Sequence, residues 1–305
     1  MTKKIDKKTL IILICSAAVF IGLMILAAFM DLKINILLQN PDSLYGQSLE
    51  YLGEFPAYVA AGVAFIILFQ AVTKDSKYYL ALKILFGILA FVGVGVFVNY
   101  LMGKFFKEEI MYRTFYLIVF TIVATALAML GTAKADKQVM KKLALFAVML
   151  LAVLAISQII TTIAKKMWGR MRFRNMNQNY DGYTPWYKLN FGSKGREHLV
   201  VSDPYHSDSD AFRSFPSGHT SAAGLSIALV LLPDLFEKLK KYKVWFYVAP
   251  ITYTLLVALS RIIVKAHFLS DVLAGFIIAV GSVFFSRWII LLIDNKIKQK
   301  KRQAE

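Results

Sequence analysis

Residues 143–164 read LALFAVMLLAVLAISQIITTIA, an uncharged run with Lys141 and Lys142 before it and Lys165 and Lys166 after it. Wound as a helix, 22 residues rise about 33 Å, enough to cross a hydrocarbon core of about 30 Å. Seven further apolar runs of similar length follow the same reading: 10–30, 55–72, 80–102, 110–130, 216–235, 244–264 and 272–293. None alternates strictly, which excludes a transmembrane β-barrel. Lys83 and Arg113 intrude near the ends of the third and fourth runs. The first run is too long for a signal-peptide core and lacks a small-residue cleavage site after it, so it reads as a retained anchor.

The 305 residues are 58% hydrophobic with mean hydropathy +0.57, far more apolar than a soluble domain. The expectation is an all-α, polytopic transmembrane helical bundle of about eight spans, a single domain over residues 1–305.

A net charge of +17 raises the question of nucleic acid, and its distribution answers it. Lys3, Lys4, Lys7 and Lys8 precede the first run, and Lys74 and Lys77 follow the second. Lys134, Lys137, Lys141 and Lys142 follow the fourth. Lys238, Lys240, Lys241 and Lys243 follow the sixth, and the basic segment 296–302 follows the eighth. Every second connection is basic, so the charge is a topology signal with both termini cytoplasmic. Nucleic acid is not an expected partner; membrane lipids are.

The external connection 165–215 breaks the pattern. It carries Lys165, Lys166, Arg170, Arg172, Arg174, Lys188, Lys194, Arg196 and Arg213. Cations kept on the disfavoured side suggest an anionic ligand there. Its aromatics either line a pocket or form an interfacial belt. The shorter connection 31–54 reads as a plain connector or as a helix lying in the interface. Cys15 is the sole cysteine, which excludes a disulfide and a cysteine metal site. His198 and His206, near Asp203, Asp208 and Asp210, match no common metal-ligand spacing, so no metal is expected. Arg287 reads as a snorkelling cation, Pro250 as a bend, and Gly87, Gly93 and Gly95 as close helix packing.

Three groups of residues in the second half could do chemistry. Pro216, Ser217, Gly218 and His219 open the sixth run. Proline suits a first helical turn, and free backbone N–H groups of Ser217 and Gly218 at a helix start would suit phosphate. Arg261 ends the seventh run, while His267 and Asp271, four apart, share one helix face. A carboxylate one turn away can accept the Nδ1 proton of His267 and leave the Nε2 lone pair free. Lys165 and Arg172, seven apart, could converge on one anion, although a basic cluster holding lipid headgroups explains them as well.

Together, Lys-x6-Arg, Pro-Ser-Gly-His and Ser-Arg-x5-His-x3-Asp resemble the three-part pattern of the type 2 phosphatidic acid phosphatase (PAP2) superfamily, which also includes vanadium haloperoxidases. The resemblance covers residues 165–271. It departs where the family has proline after its arginine and this chain has Phe173, so Arg170 or Arg174 could stand in for Arg172. The family core has six spans; an inserted hairpin, the third and fourth runs, would account for eight and keep the site outside.

The resemblance implies roles. His267 would be the nucleophile that forms a phosphohistidine, Asp271 its orienter, and His219 the general acid. Lys165, Arg172, Ser217, Gly218 and Arg261 would hold the phosphoryl oxygens. It implies no metal and no cofactor. The substrate would be a lipid phosphate or pyrophosphate, of the undecaprenyl pyrophosphate, phosphatidylglycerophosphate or phosphatidic acid type. A phosphotransferase could use the same site, and a haloperoxidase could hold vanadate in it. A transporter would instead place its ionisable groups near the bilayer midplane. The spacing leaves the substrate and the oligomeric state open.

Overall fold

The computed structural model describes residues 7–105, 110–132, 135–202 and 207–304; Lys3, Lys4, Lys134, Asp203 and His206 lie outside them. Among the described residues there is no strand. The helices are α1 (Lys7–Leu38), α2 (Leu44–Leu52), α3 (Phe55–Ala71), α4 (Tyr79–Phe105), α5 (Ile110–Thr132), α6 (Lys137–Trp168), α7 (Gly218–Gly224), α8 (Leu232–Leu235), α9 (Lys243–Ile263) and α10 (Leu269–Ala304).

Seven described stretches are long and apolar enough to cross a membrane: Ile14–Leu38, Leu44–Ala71, Tyr79–Met102, Lys137–Asn175, Gly218–Leu235, Glu237–Ile263 and Leu269–Ile293. The eighth expected span is present as the shorter apolar helix Phe115–Gly131 within α5. The fold is therefore that of a multi-pass helical membrane protein. Hydroxyls inside it bond back along their own helices, as Thr121 does to the Leu117 carbonyl (2.6 Å) and Ser282 to that of Ile278 (2.7 Å).

The connection 31–54, left open between a plain connector and a helix, is largely helical: α1 runs on to Leu38, and α2 forms within it. Asp31 and Asn35 interrupt the hydropathy pattern, yet both are fully buried in the last turns of α1. Asp31 is bonded by Arg170 and Ser270, and Asn35 Nδ2 donates to the His267 carbonyl, so the helix continues. The sixth run is not one regular helix. It is α7, a 3₁₀ stretch Leu225–Leu231, and α8, which restarts with Pro233 in its first turn.

Contacts divide the chain into two compact units. The first comprises Met1–Leu49, Thr161–Gly218 and Ala258–Ile277. Its core is built by the connection 165–215: Met171, Phe173, Met176, Ala211 and Phe212 pack with Phe268, and Tyr180 and Tyr183 close over them. Phe173 stacks on Tyr180 at 5.5 Å and meets Phe268 edge-on at 6.0 Å. These loop aromatics are thus core-forming, whereas Tyr187 remains exposed. The turn after α6 requires glycine at 169, where φ is +47° and a Cβ would fall 2.3 Å from the Gly192 carbonyl oxygen.

The second unit comprises Glu50–Ile160, His219–Val257 and Ile278–Glu305. Within it α3 and α4 touch backbone to backbone: a Cβ on Gly93 would lie 2.8 Å from the Gly62 nitrogen. Ile66, Ala90, Val94, Val98 and Met102 form the adjoining core. Arg287, read from the sequence as a snorkelling cation, has a carboxylate partner in Asp234 at 2.6 Å.

Candidate active site

Between α9 and α10 the chain reverses in five residues. The Arg261 carbonyl accepts the amides of both Ala266 (3.0 Å) and His267 (3.1 Å), and Asn35 Nδ2 donates to the His267 carbonyl at 3.0 Å. His267 is held by its backbone in a fixed place, and only 1% of it is exposed.

Two charged partners flank its ring. Asp271 Oδ2 lies 3.5 Å from Nδ1, longer than a good hydrogen bond and unaligned, so Nδ1 has no formal hydrogen-bond partner. Arg172 Nη1 lies 3.1 Å from Nε2. Burial first and the Arg172 guanidinium second, with Lys165 adding to them, push the imidazole down to about 3 against the pull of Asp271. At neutral pH it is an uncharged base.

Asp271, fully buried, is itself held. Arg170 Nη1 donates to Oδ1 at 2.7 Å; the Ser214 hydroxyl and the Phe268 amide (2.9 Å) donate to Oδ2. Its backbone carbonyl accepts the Ser217 amide at 2.9 Å, which binds the start of the Pro-Ser-Gly-His segment to the start of α10. That amide is consequently spent, contrary to the expectation that it stands free. The Lys165 chain passes beside Gly218, where a Cβ would sit 3.7 Å from Lys165 Cε. Lys165 Nζ donates to the Arg213 carbonyl at 2.5 Å.

Of the three candidate arginines, Arg172 and Arg174 face one carboxylate and Arg170 another. Arg172 reaches His267 Nε2 and pairs with Asp210 at 2.6 Å. Arg174 stands 3.9 Å from the same Asp210 carboxylate. Arg170 turns to the far side of Asp271. Arg261 is buried; its Nη2 donates to the Gly46 carbonyl at 2.6 Å and its Nε to Ser260 Oγ at 3.1 Å. A cavity of about 560 Å³ in the first unit is lined by Lys165, Lys166, Phe212 and Arg213, among others. Neither His267 nor Arg172 lines it.

His219 opens the second unit, one peptide bond beyond Gly218. Its Nδ1 lies 3.4 Å from Glu54 Oε1 and its Nε2 3.3 Å from the Glu50 carbonyl. Both histidines therefore have carboxylate neighbours. Only Asp271 was visible as a helical i, i+4 pair; Glu54, Arg170, Asp210, Ser214 and Asp31 come from elsewhere in the chain and carry no spacing signal. Arg170 was within the basic cluster and Asp210 beside the loop histidines; the others had no signal.

Residues 146–294 match the PAP2 superfamily. This similarity to the PAP2 superfamily covers just under half of the chain. No curated protein and no solved structure matches the chain. The PAP2 stretch runs from α6 to α10 and contains every candidate catalytic and phosphate-binding residue; α1–α5 lie outside it.

Proposed function

We propose that this protein is a PAP2-type membrane phosphatase that removes a phosphoryl group from a lipid phosphate or diphosphate at the outer face. The observation that carries the reading is the neutral, buried His267, whose Nε2 meets the donor-only guanidinium of Arg172. An uncharged nitrogen nucleophile with a phosphate-binding arginine at its reactive atom is what attack on phosphorus requires.

In the first step His267 Nε2 forms a bond to phosphorus while the bond to the leaving oxygen breaks, and His219 gives that oxygen a proton. Asp271 balances the charge gained by the imidazole. In the second step water attacks the phosphohistidine, His219 takes the proton, the P–N bond breaks and inorganic phosphate leaves. Lys165, Arg172, Arg261, the Ser217 hydroxyl and the Gly218 amide hold the phosphoryl oxygens, and charge stabilisation of this kind dominates phosphoryl transfer.

The lipid part of the reading has its own support. In the second unit an apolar groove of about 320 Å³ is lined by Ala57, Ala61, Phe65, Leu89, Val92 and Val96. Glu54, the neighbour of His219, also lines it. A hydrocarbon chain in this groove would lead its phosphate toward His219. The alternating basic connections support cytoplasmic termini and an outward-facing site.

The test is phosphate release by purified protein from undecaprenyl pyrophosphate, phosphatidylglycerophosphate and phosphatidic acid, with and without EDTA. Quenching in alkaline denaturant, which spares the acid-labile P–N bond, should trap a labelled phosphohistidine in the wild type and none in His267→Asn. Release that needs a divalent cation, or that persists in His267→Asn, would refute the mechanism. Label passing to an added acceptor instead of water would make the enzyme a transferase.

A further inference from the structure

Behind Asp271 the first unit contains a second ionic layer, which neither the motifs nor the mechanism uses. Arg170 is wholly buried. Its Nη1 donates to Asp271 Oδ1 (2.7 Å) and Ser270 Oγ (2.7 Å), its Nη2 to Asp31 Oδ2 (2.9 Å), and its Nε to the Thr184 carbonyl (2.8 Å). Phe268 lies against the guanidinium at 4.0 Å. Asp31 Oδ1 accepts the Ser270 amide at 3.0 Å, and its Oδ2 accepts the Ser270 hydroxyl. Asp31 is on α1, outside the PAP2 stretch.

Two fully buried carboxylates about one buried arginine are an expensive way to fill space, since apolar side chains of similar volume pack at least as well. The array is asymmetric in a useful way. Arg170 occupies Oδ1 of Asp271, which leaves Oδ2 directed at His267. Alone, Arg170 would also neutralise much of the charge that Asp271 offers the imidazole. Asp31 meets that cation from the other side.

We propose that Asp31 and Arg170 are positioning residues for the His267–Asp271 pair: Arg170 fixes the Asp271 carboxylate, and Asp31 offsets the Arg170 charge so that Asp271 acts on His267 as a full anion. The proposal rests on the phosphatase reading for its kinetic consequence, but not for its electrostatic one. The charged groups facing His267 are Asp271, Arg172 and Lys165; Arg170 faces Asp271, Asp31 and Tyr183; and Asp210 faces Arg172. Against that fixed surrounding, the two substitutions have opposite signs. Asp31→Asn adds net positive charge near the imidazole and disfavours its protonation. Arg170→Gln removes positive charge and favours it.

The experiment uses the full chain in detergent with isotope-labelled histidine, the His267 signal being assigned by its loss in His267→Asn. Arg170→Gln should raise the His267 protonation midpoint by about one pH unit or more from near 3, the scale on which a neighbouring charge acts. Asp31→Asn should leave it or lower it, and the double variant should fall between. On a short-chain lipid phosphate, Asp31→Asn should lower kcat about 10–100-fold, as loss of an outer partner does elsewhere, with KM unchanged within about twofold. Asp31→Glu should recover part of the loss. If Arg170→Gln does not fold, Arg170→Lys keeps the charge but not the fork, and should lower kcat without moving the midpoint. Midpoints that move together in Asp31→Asn and Arg170→Gln, or an Asp31→Asn kcat equal to wild type, would overturn the proposal. Should the wild type release no phosphate at all, the phosphatase reading fails and the histidine titration still decides this one.

Discussion

Arg172 Nη1 sits 3.1 Å from His267 Nε2, and because a guanidinium can only donate, Nε2 must be the lone-pair nitrogen. The ring proton is thereby assigned to Nδ1, on the side of Asp271. The arginine covers the atom proposed to attack phosphorus. Binding of phosphate must draw the guanidinium from nitrogen to phosphoryl oxygen, a stronger, charge-assisted partner. Arg172→Lys keeps the charge and loses the planar fork. It should lower kcat/KM about 10²–10³-fold, the usual cost of one transition-state donor, and weaken inhibition by vanadate in parallel. Unchanged vanadate inhibition would show that Arg172 does not hold the phosphoryl group.

Asp271→Asn tests the orienter. Its Oδ1 is fixed by Arg170 and its Oδ2 by Ser214 and Phe268, so an amide must present its NH₂ either to the Arg170 guanidinium or to the donors on the other side. Turnover should fall by about 10²–10⁴-fold, as when a triad loses its carboxylate. Turnover within about threefold of wild type would remove Asp271 from the mechanism.

Acid stability should report His267 directly. The imidazole titrates near 3 in the folded protein and near 6.5 when exposed by unfolding. Between those values the unfolded chain binds more protons, so stability rises with pH; the contribution is complete above about 6.5 and lost as pH falls toward 3. From pH 6.5 to 5 the loss is about 1.5 kcal/mol. Ordinary carboxylates titrate lower, so melting temperatures between pH 5 and 7 should depend on pH less steeply in His267→Asn than in wild type. Equal slopes would mean that the ring is not buried and neutral.

The sequence disclosed the parts of this site that repeat at helical or motif spacing, and hid those assembled by tertiary contact. His267 and Asp271 share a helix face, and the apolar runs located most spans, because both signals are local. Asp31 was hidden for a definite reason: a carboxylate after an apolar run looks like the run's end, and its buried partner Arg170 is 139 residues away. Glu54 was read as part of a connector for the same reason. The Ser217 amide was misjudged because its acceptor, the Asp271 carbonyl, belongs to another helix. Arg170, Arg172 and Arg174 alternate along the segment after α6, which ends in a 3₁₀ turn at Phe173–Asn175, and only the fold sends Arg172 to His267 and Arg170 to Asp271.

Helix packing offers a test free of catalysis. A side chain at Gly93 would meet the backbone of Gly62 at 2.8–2.9 Å, which cannot yield as a flexible side chain would. Gly93→Val should separate α3 from α4 and destabilise the protein by about 1–3 kcal/mol, measured as a fall in melting temperature in detergent. Gly22, whose added Cβ meets nothing within 4 Å, is the control: Gly22→Ala should be neutral or slightly stabilising. Equal effects at the two positions would contradict the close crossing.

The groove in the second unit gives the lipid reading its sharpest test. Val92 and Val96 line it from α4, and both are exposed, so larger side chains there should not disturb the core. Val96→Trp would fill space that the proposal assigns to a hydrocarbon chain. Such a variant should hydrolyse a short-chain, water-soluble phosphate at the wild-type rate and lose about tenfold in kcat/KM on the long-chain lipid, the cost of a few forfeited methylene contacts. The loss should grow with chain length until the chain outruns the groove. Equal losses on both substrates would point to general damage. An unchanged preference for long chains would mean that the tail lies elsewhere, and that the neighbourhood of Glu54 and His219 does not receive the lipid from this side.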